Sequence, residues 1–320
     1  MMSLSASDAA SPLRPEIENF IDEMVQKHGY PPAALRRLFS TVQSRPSVIR
    51  AISTPGTARP WYEFRRSAIT PVRIEGGVRF WQQNQAVLEK ATREFGVPEE
   101  ILVATIGIET VYGRNTGSVK VLDALTTLAF DYPPRAEFFR TELEQYLLLV
   151  RENGIDAANT RGSYAGAIGL PQFMPSSYRK HAVDFDGDGR RDLVASRADA
   201  IGSVANYYRS YNWKTGETAI VAAESGDADL GPLLAAGIKP HISVRELREK
   251  GVVIPDGVDE NALVTLFSVE TERGGKLYLG LNNFYVITRY NRSINYAMAV
   301  WELAGEIRAQ MASVGTTPSP

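Results

Sequence analysis

The chain has 320 residues, 44% of them hydrophobic and 22% charged, with a formal net charge of −2 and a pI near 6.0. That length suits about two domains with an ample core, and the near-neutral balance offers no global basic field for nucleic acid. The absence of cysteine excludes disulfides, thiolate metal centres and Cys nucleophiles, and no apolar run approaches the ~18 residues of a membrane span.

The opening MMSLSASDAASP is small and polar, without a basic start leading into an apolar stretch. It is expected to be a disordered lead (1–13) and carries no intact export signal. Residues 14–53 predict two or three short helices, with Ile17, Phe20, Ile21 and Val25 on one face of the first. Pro31-Pro32 opens the second, and Arg45-Pro46 sets off a third. ARPWYEFRR (58–66) is aromatic and basic with no clear period, and a long amphipathic helix is expected over 72–95, stopped by Gly96. Helices follow over 98–112, 120–130 and 135–152, the last two separated by Asp131-Tyr-Pro-Pro. Residues 153–198 read mostly as loop, and 199–211 returns to helix. The β content is expected within 216–292, in ALVTLFSVE, GKLYLG and FYVITRYN, with SVRELREK as a short helix just before them. Ser293 reads as the cap of a final helix whose face is Ile294, Ala297, Met298, Trp301, Ala304 and Ile307. The expected class is α+β, mainly helical, with the β part segregated.

The stretch PEEILVATIGIETVYGRNTG (98–117) organises the rest. Pro98 suits a first helical position, Ile101, Ala104, Thr105 and Ile108 form a stripe, and Gly113 is a natural stop. Glu109 then falls in the last turn, where the helix end already carries partial negative charge. That field, together with apolar neighbours, should raise its pKa, as a proton-donating catalyst at neutral pH requires. An ordinary solvated glutamate is the alternative.

Asp184, Asp186, Asp188 and Gly189 make D-x-D-x-D-G, the first half of an EF-hand-type calcium loop. The carbonyl of Arg190 would take the seventh position and Asp192 the ninth. The twelfth is Ala195 rather than Glu, so Asp199 would have to close a longer loop. A calcium here would be structural. Upstream, GSYAGAIGLPQFMPSSY (162–178) has small residues that admit close approach of a ligand, and Ser163, Gln172 and Tyr178 add hydrogen-bonding groups. The combination suits a sugar-binding cleft.

Four stretches carry a family resemblance: G-I-E-T-x-Y-G at 107–113, S-Y-A-G-A-I-G-L-P-Q-F-M-P-S-S-Y at 163–178, the acidic loop running into D-A-I-G-S-V-A-N-Y-Y at 199–208, and Y-N-R-S-x-x-Y-A-M-A-V at 290–300. In this order they resemble the membrane-bound lytic transglycosylase B family (glycoside hydrolase family 103) over residues 15 to 310. The resemblance implies a lysozyme-like catalytic core with an extra helical domain and a small β domain. It also implies non-hydrolytic cleavage of the β-1,4 bond between N-acetylmuramic acid and N-acetylglucosamine, leaving a 1,6-anhydro end. It places the single acid/base on Glu109 and substrate contacts on Ser163, Gln172, Tyr290 and Asn291. Calcium ligation falls on Asp184, Asp186, Asp188, the Arg190 carbonyl and Asp199. Of the paired basic residues the family has before A-E-[YF]-F, only Arg135 is basic here, after Pro134, and Phe64 stands where the family can have Tyr.

The domain plan expected is a helical region (14–70), a core (71–215) holding the calcium loop 184–199, a β-containing domain (216–285), a C-terminal core segment (286–312) and a loose tail (313–320). The expected partners are peptidoglycan strands, with other cell-wall enzymes as further candidates, no nucleic acid, and a monomeric chain. The substrate implies a periplasmic or cell-envelope location. A hydrolysing muramidase on the same scaffold and a non-catalytic wall-binding module are the competing readings; product mass and wall turbidity separate them. The mechanism also fits the residues: no second acidic residue occurs in 161–178, whereas hydrolases of glycosides usually pair two carboxylates.

Overall fold

The computed structural model describes residues 12–54 and 59–315, and side chains to 313. The expected lead and tail lie almost wholly outside the described residues.

Pro15–His28 (α1), Pro32–Phe39 (α2) and Pro46–Ser53 (α3) each begin on a proline, which suits a position whose N–H needs no partner. The aromatic-basic stretch, aperiodic in sequence, is a helix, Trp61–Ala68 (α4), that buries Trp61 and Ala68. The long helix expected over 72–95 is instead two, Pro71–Gln83 (α5) and Gln85–Phe95 (α6). They part at Asn84, whose side-chain amide donates to the Phe80 carbonyl at 2.7 Å; a short amide competing for the backbone in this way interrupts a helix. Glu99–Thr110 (α7) follows, with Pro98 as its N-cap rather than its first residue.

Next come Val119–Lys120 (β1), Val121–Asp131 (α8), Ala136–Asn153 (α9), Arg161–Gly162 (β2), Pro175–His181 (α10) and Arg197–Ser210 (α11). The β region contains Ile220–Ala223 (β3), Leu230–Ala235 (α12), Ile242–Ser243 (β4), Val244–Glu249 (α13), Leu263–Thr271 (β5) and Gly274–Gly280 (β6). Its strands run in the order β3-β6-β5-β4, all antiparallel. FYVITRYN is not a strand: Asn282–Tyr290 (α14) is helical. Buried Asn283 anchors its start by bonding the backbone of Lys214 and Glu217, and the buried positions 283, 284, 286, 287 and 288 cover one side of a helix. The last helix is Ile294–Gly315 (α15), with Ser293 accepting the Ala297 N–H as expected of its cap.

Two compact units emerge. Of the described residues, one comprises 12–53, 117–168 and 173–179. Here α8 and α9 pack together, β1 pairs with β2, and buried Asp123 is held by Arg45 at 2.7 Å. The other comprises 54, 59–116, 169–172 and 180–315. Its centre is α7, with Ile101, Leu102, Val103, Ala104 and Ile106 all at 2% exposure or less. A single apolar stripe was the expectation; a helix apolar all round must be buried all round, and α5, α6, α11 and α15 enclose it. The β region has its own core around Val244, Leu247, Val264, Leu266 and Leu279.

Candidate active site

Helix α7 ends one residue after Glu109. Thr110 is its last residue, and Val111 and Tyr112 then adopt left-handed backbone, φ 51° and 60°. For a β-branched and an aromatic residue this is strained, on the order of 1–3 kcal/mol each. Packing explains why it persists. The Tyr112 ring fills a slot floored by glycines: a Cβ on Gly76 would sit 2.9 Å from the ring, and one on Gly77 or Gly107 would sit 2.6 or 2.4 Å from its hydroxyl oxygen. That hydroxyl donates to the Arg73 carbonyl at 2.7 Å, and Arg73 Nε donates to the Gly107 carbonyl at 3.1 Å. The turn expected at Gly113 therefore begins two residues earlier, forced by the seating of Tyr112.

Glu109 emerges from this corner only partly accessible to solvent. Burial of its carboxyl pushes the pKa up from the ordinary 4.5 to about 7, against the opposing effect of the Tyr296 hydroxyl, which donates to Oε1 at 2.6 Å. Among the described residues, no charged group contributes to the shift. A carboxylate pair would raise one partner by direct repulsion; here desolvation does the work.

The Tyr296 ring stacks on Tyr290 at 6.2 Å between centroids, and Tyr290 packs on Tyr207 and Tyr208 at 4.8 and 5.6 Å. Tyr208 in turn bonds Thr105 of α7 at 2.8 Å. The charge of Glu109 raises the phenol pKa values of Tyr208, Tyr290 and Tyr296 beyond what burial does. These phenols stay neutral donors.

The short segment 169–172 is fastened to the same corner. The Thr110 hydroxyl donates to the Leu170 carbonyl at 3.0 Å, Tyr290 to the Pro171 carbonyl at 2.5 Å, and Gln172 Nε2 to the Thr116 and Gly169 carbonyls at 3.1 and 2.8 Å. Gln172 itself has φ 51°. Glu109, Tyr290 and Gln172 are thus brought together through Tyr296 and Thr110, and Asn291 follows at the exposed end of α14.

The remaining expected contacts belong to the other unit. Ser163 Oγ accepts from the Ala165 and Ala167 N–H groups at 3.2 and 3.0 Å, organising its own turn. Arg135 is exposed and lies over the Phe138 and Phe139 rings. Tyr178 is 1% exposed. It is a core residue and presents no surface to a sugar, so its expected place in the binding set is withdrawn. Tyr296 was not singled out by sequence reasoning, although it is the second Tyr of Y-N-R-S-x-x-Y; its helical position beside buried Ala297 was the available signal.

In the acidic loop, one carboxylate oxygen from each of Asp184, Asp186 and Asp188 lies within 4.8 Å of the others, all three side chains being exposed. Gly187 and Gly189 take φ 81° and 85°, which lets the chain wrap around that point. This donor set of hard oxygens suits Ca²⁺. Asp199 stands outside the cluster. It is 1% exposed, and its carboxylate accepts N–H groups of Phe185, Asp186 and Asp192 at 2.7, 3.4 and 2.7 Å, tethering the loop to α11 from beneath. Asp192 is likewise engaged, with the Val194 and Ala195 N–H groups.

A mainly helical core similar to that of a solved muramidase/transglycosylase, with a buried glutamate whose carboxyl holds its proton near neutral pH at the end of the central helix, fits an enzyme that cuts glycan chains. Residues 12–305 match the family model described as Transglycosylase SLT domain, and the chain belongs to that family: it is a lytic transglycosylase. The membrane-bound lytic murein transglycosylase B of Escherichia coli (strain K12) is 42% identical over 299 residues, 90% of this chain and 81% of that protein. Among solved structures, catenated lytic transglycosylase SltB1 from Pseudomonas aeruginosa is 47% identical with a TM-score of 0.89, covering 93% of this chain and 98% of that one. The Escherichia coli lytic transglycosylase Slt35 in complex with calcium is 42% identical with a TM-score of 0.84, covering 93% and 94%. No helix among the described residues is long and apolar enough to cross a membrane.

Proposed function

We propose that this enzyme cleaves the β-1,4 bond between N-acetylmuramic acid and N-acetylglucosamine in peptidoglycan, without water, with Glu109 as the single acid/base. The observation that carries the reading is the Glu109 carboxyl raised to about 7 by burial, with no charged group among the described residues contributing to the shift. Tyr296 donates to Oε1, which leaves Oε2 to carry the proton. Oε2–H protonates the glycosidic oxygen as its bond to C1 breaks, and the N-acetylglucosamine leaves with a free 4-hydroxyl. The muramic C1 is then electron-poor, and its 2-acetamido group and the site dipoles stabilise it. The carboxylate, now stabilised by Tyr296, takes the proton of the muramic C6 hydroxyl as that oxygen bonds to C1. The anhydro ring closes, and Glu109 is protonated again. A second carboxylate, needed by a hydrolase to activate water or act as nucleophile, has no step to perform.

Tyr290, Asn291, Gln172, Ser163 and Arg135 are the proposed substrate contacts. Gln172 commits its amide N–H groups to backbone, so it offers its carbonyl oxygen. Asp184, Asp186 and Asp188, with the Arg190 carbonyl, would hold a structural Ca²⁺, which supplies charge balance to the loop and no step of the reaction. Asp199 orients that loop. The calcium complex of the related Slt35 supports this assignment. The substrate places the enzyme in the bacterial envelope.

Glu109→Gln keeps the shape and removes the transferable proton. It is expected to abolish release of anhydro-muropeptides from purified sacculi, measured by mass spectrometry, while melting as the parent does. Products heavier by one water, or turnover surviving the substitution, would overturn the proposal.

A further inference from the structure

Residues 169–172 form one turn, closed by the Gln172 N–H donating to the Gly169 carbonyl at 3.2 Å. Gly169 and Gln172 have φ 77° and 51°, and the Gln172 side-chain amide folds back on Gly169 and on Thr116. Between residues 117 and 179, this turn alone belongs to the unit of α7. The turn closes itself, but its place beside Glu109 has to be fixed from outside. Three bonds do that. The Leu170 N–H donates to the Leu193 carbonyl at 2.8 Å, Tyr290 donates to the Pro171 carbonyl at 2.5 Å, and Thr110 donates to the Leu170 carbonyl at 3.0 Å. Of the three partners only Thr110 lies on α7, next to Glu109 in the chain.

Thr110 is suited to such a junction. It is 0% exposed, so its bonds are shielded from water. A hydroxyl has one proton to give and lone pairs with which to receive. Here a lone pair takes the Gly113 N–H at 3.1 Å, from the turn that follows Glu109, and the proton goes to Leu170. The Ile106 carbonyl, one turn back at 3.2 Å, is the other acceptor in reach. That contact is the ordinary one for a threonine inside a helix, and it stays within α7. The Leu170 contact reaches 60 residues along the chain. One oxygen thus joins the end of α7, the strained corner behind it and the turn that carries Gln172. It has no proton left for a sugar, and it has no part in the shift of the Glu109 carboxyl.

We propose that Thr110 is a positioning residue of the reaction: its hydroxyl fixes the reach from Gln172 to Glu109, so that a sugar held by the Gln172 carbonyl oxygen presents its glycosidic oxygen to the Glu109 carboxyl. This rests on the reading above, in which Glu109 is the acid/base and Gln172 touches substrate. Alignment matters here because a lone acid/base must serve two oxygens in turn, and a misplacement of about 1 Å can cost about a hundredfold in rate.

The test is steady-state kinetics on soluble glycan strands across a pH series. Thr110→Val keeps the shape and removes the hydroxyl. Its kcat is expected to fall by about tenfold or more, with KM changed far less, because what is lost is alignment and not uniform binding. The alkaline limb of kcat/KM should stay in place. Thr110→Ser keeps both bonds and should restore kcat. Valine leaves the Gly113 N–H and the Leu170 carbonyl without this partner, so the assays are run well below the melting temperature. Thr110→Cys, of similar size with a weak donor, should lower kcat in the same sense and replaces the valine variant if that does not fold. A folded variant with parental kcat, a rise in KM at constant kcat, a shifted limb, or a serine variant as slow as valine would each overturn the proposal. The mass of the parent's products, and the fate of turnover in Glu109→Gln, report separately on the reading beneath it.

Discussion

The Glu109 corner and the acidic loop are both sharp turns built from motif residues, yet they are held by opposite means. At the corner, two non-glycine residues sit in left-handed backbone because a tyrosine is wedged among glycines and its hydroxyl is tied to Arg73. The Arg73 guanidinium takes part, but by donating to backbone carbonyls rather than by facing another charge. In the loop, glycines take the positive φ values, the side chains are exposed, and carboxylates accept backbone N–H groups. A corner fixed by packing holds the proposed catalytic group without responding to ions. A loop fixed by like charges depends on whatever neutralises them.

The sharpest way to break the first region is to fill its slot. Gly77→Val places a Cβ 2.4 Å from Ile307 Cδ1 and 2.6 Å from the Tyr112 hydroxyl, and the two extra methyls worsen both clashes. A loss of about 3 kcal/mol is expected, read by denaturant unfolding, and activity should fall with it because the wedge positions Glu109. A variant as stable and active as the parent would show that the slot does not position the Glu109 turn.

Acid should act on the approach to the loop instead. His181, at the end of α10, packs against Tyr207 and Tyr211. Burial, aided by Lys180, depresses its pKa from 6.5 to about 4. The native state keeps the ring neutral where the unfolded chain would protonate it. Stability is therefore full above about pH 6.5 and declines as pH falls toward 4, by roughly 3 kcal/mol over that window. His181→Phe should flatten this slope in a series of melting curves; an unchanged slope would assign the acid sensitivity to other groups.

Most of the helices were legible in the sequence because proline starts and glycine stops are local signals. The breaks that were missed come from side chains that act on backbone. Asn84 splits α5 from α6 by bonding Phe80, and nothing in its immediate neighbours announces this. Helix α14 reads as a strand by composition, since Phe284, Val286, Ile287 and Thr288 favour strands; burial against the rest of its unit and the anchoring of Asn283 override that preference. The last-turn position of Glu109 was legible because it follows from the helix limits; its proposed role came from the family resemblance. Tyr296 and the Gly76–Gly77 side of the slot were not, because they reach α7 from sequence distances that no periodicity spans; Tyr112 follows α7 directly, but its seating against those glycines exists only in the fold.

Removal of metal is the corresponding test of the loop. With calcium at a hundred times its dissociation constant, binding contributes about 2.7 kcal/mol, so chelation should lower the melting temperature by roughly 5 °C. Asp188→Ala should melt at the chelated value and ignore chelator, while the Glu109 corner keeps its pH–rate profile. An identical melt with and without chelator in the parent would remove calcium from the loop.

The smallest effect expected is also the most diagnostic for the corner. Burial raises the Glu109 pKa, and the Tyr296 hydroxyl partly offsets it by stabilising the carboxylate. Tyr296→Phe removes only the offset, so the pKa should rise further, by about one unit for the loss of a single bond to a charged acceptor. The proposed reaction starts from protonated Glu109, and the alkaline limb of kcat/KM follows its ionisation in the free enzyme. That limb should move to higher pH, while kcat falls because the anion that must accept the C6 proton has lost its donor. A tyrosine that only packs would lower the melting temperature and leave the limb in place, whereas one that tunes Glu109 moves the limb at little cost in stability, since the stacked ring remains.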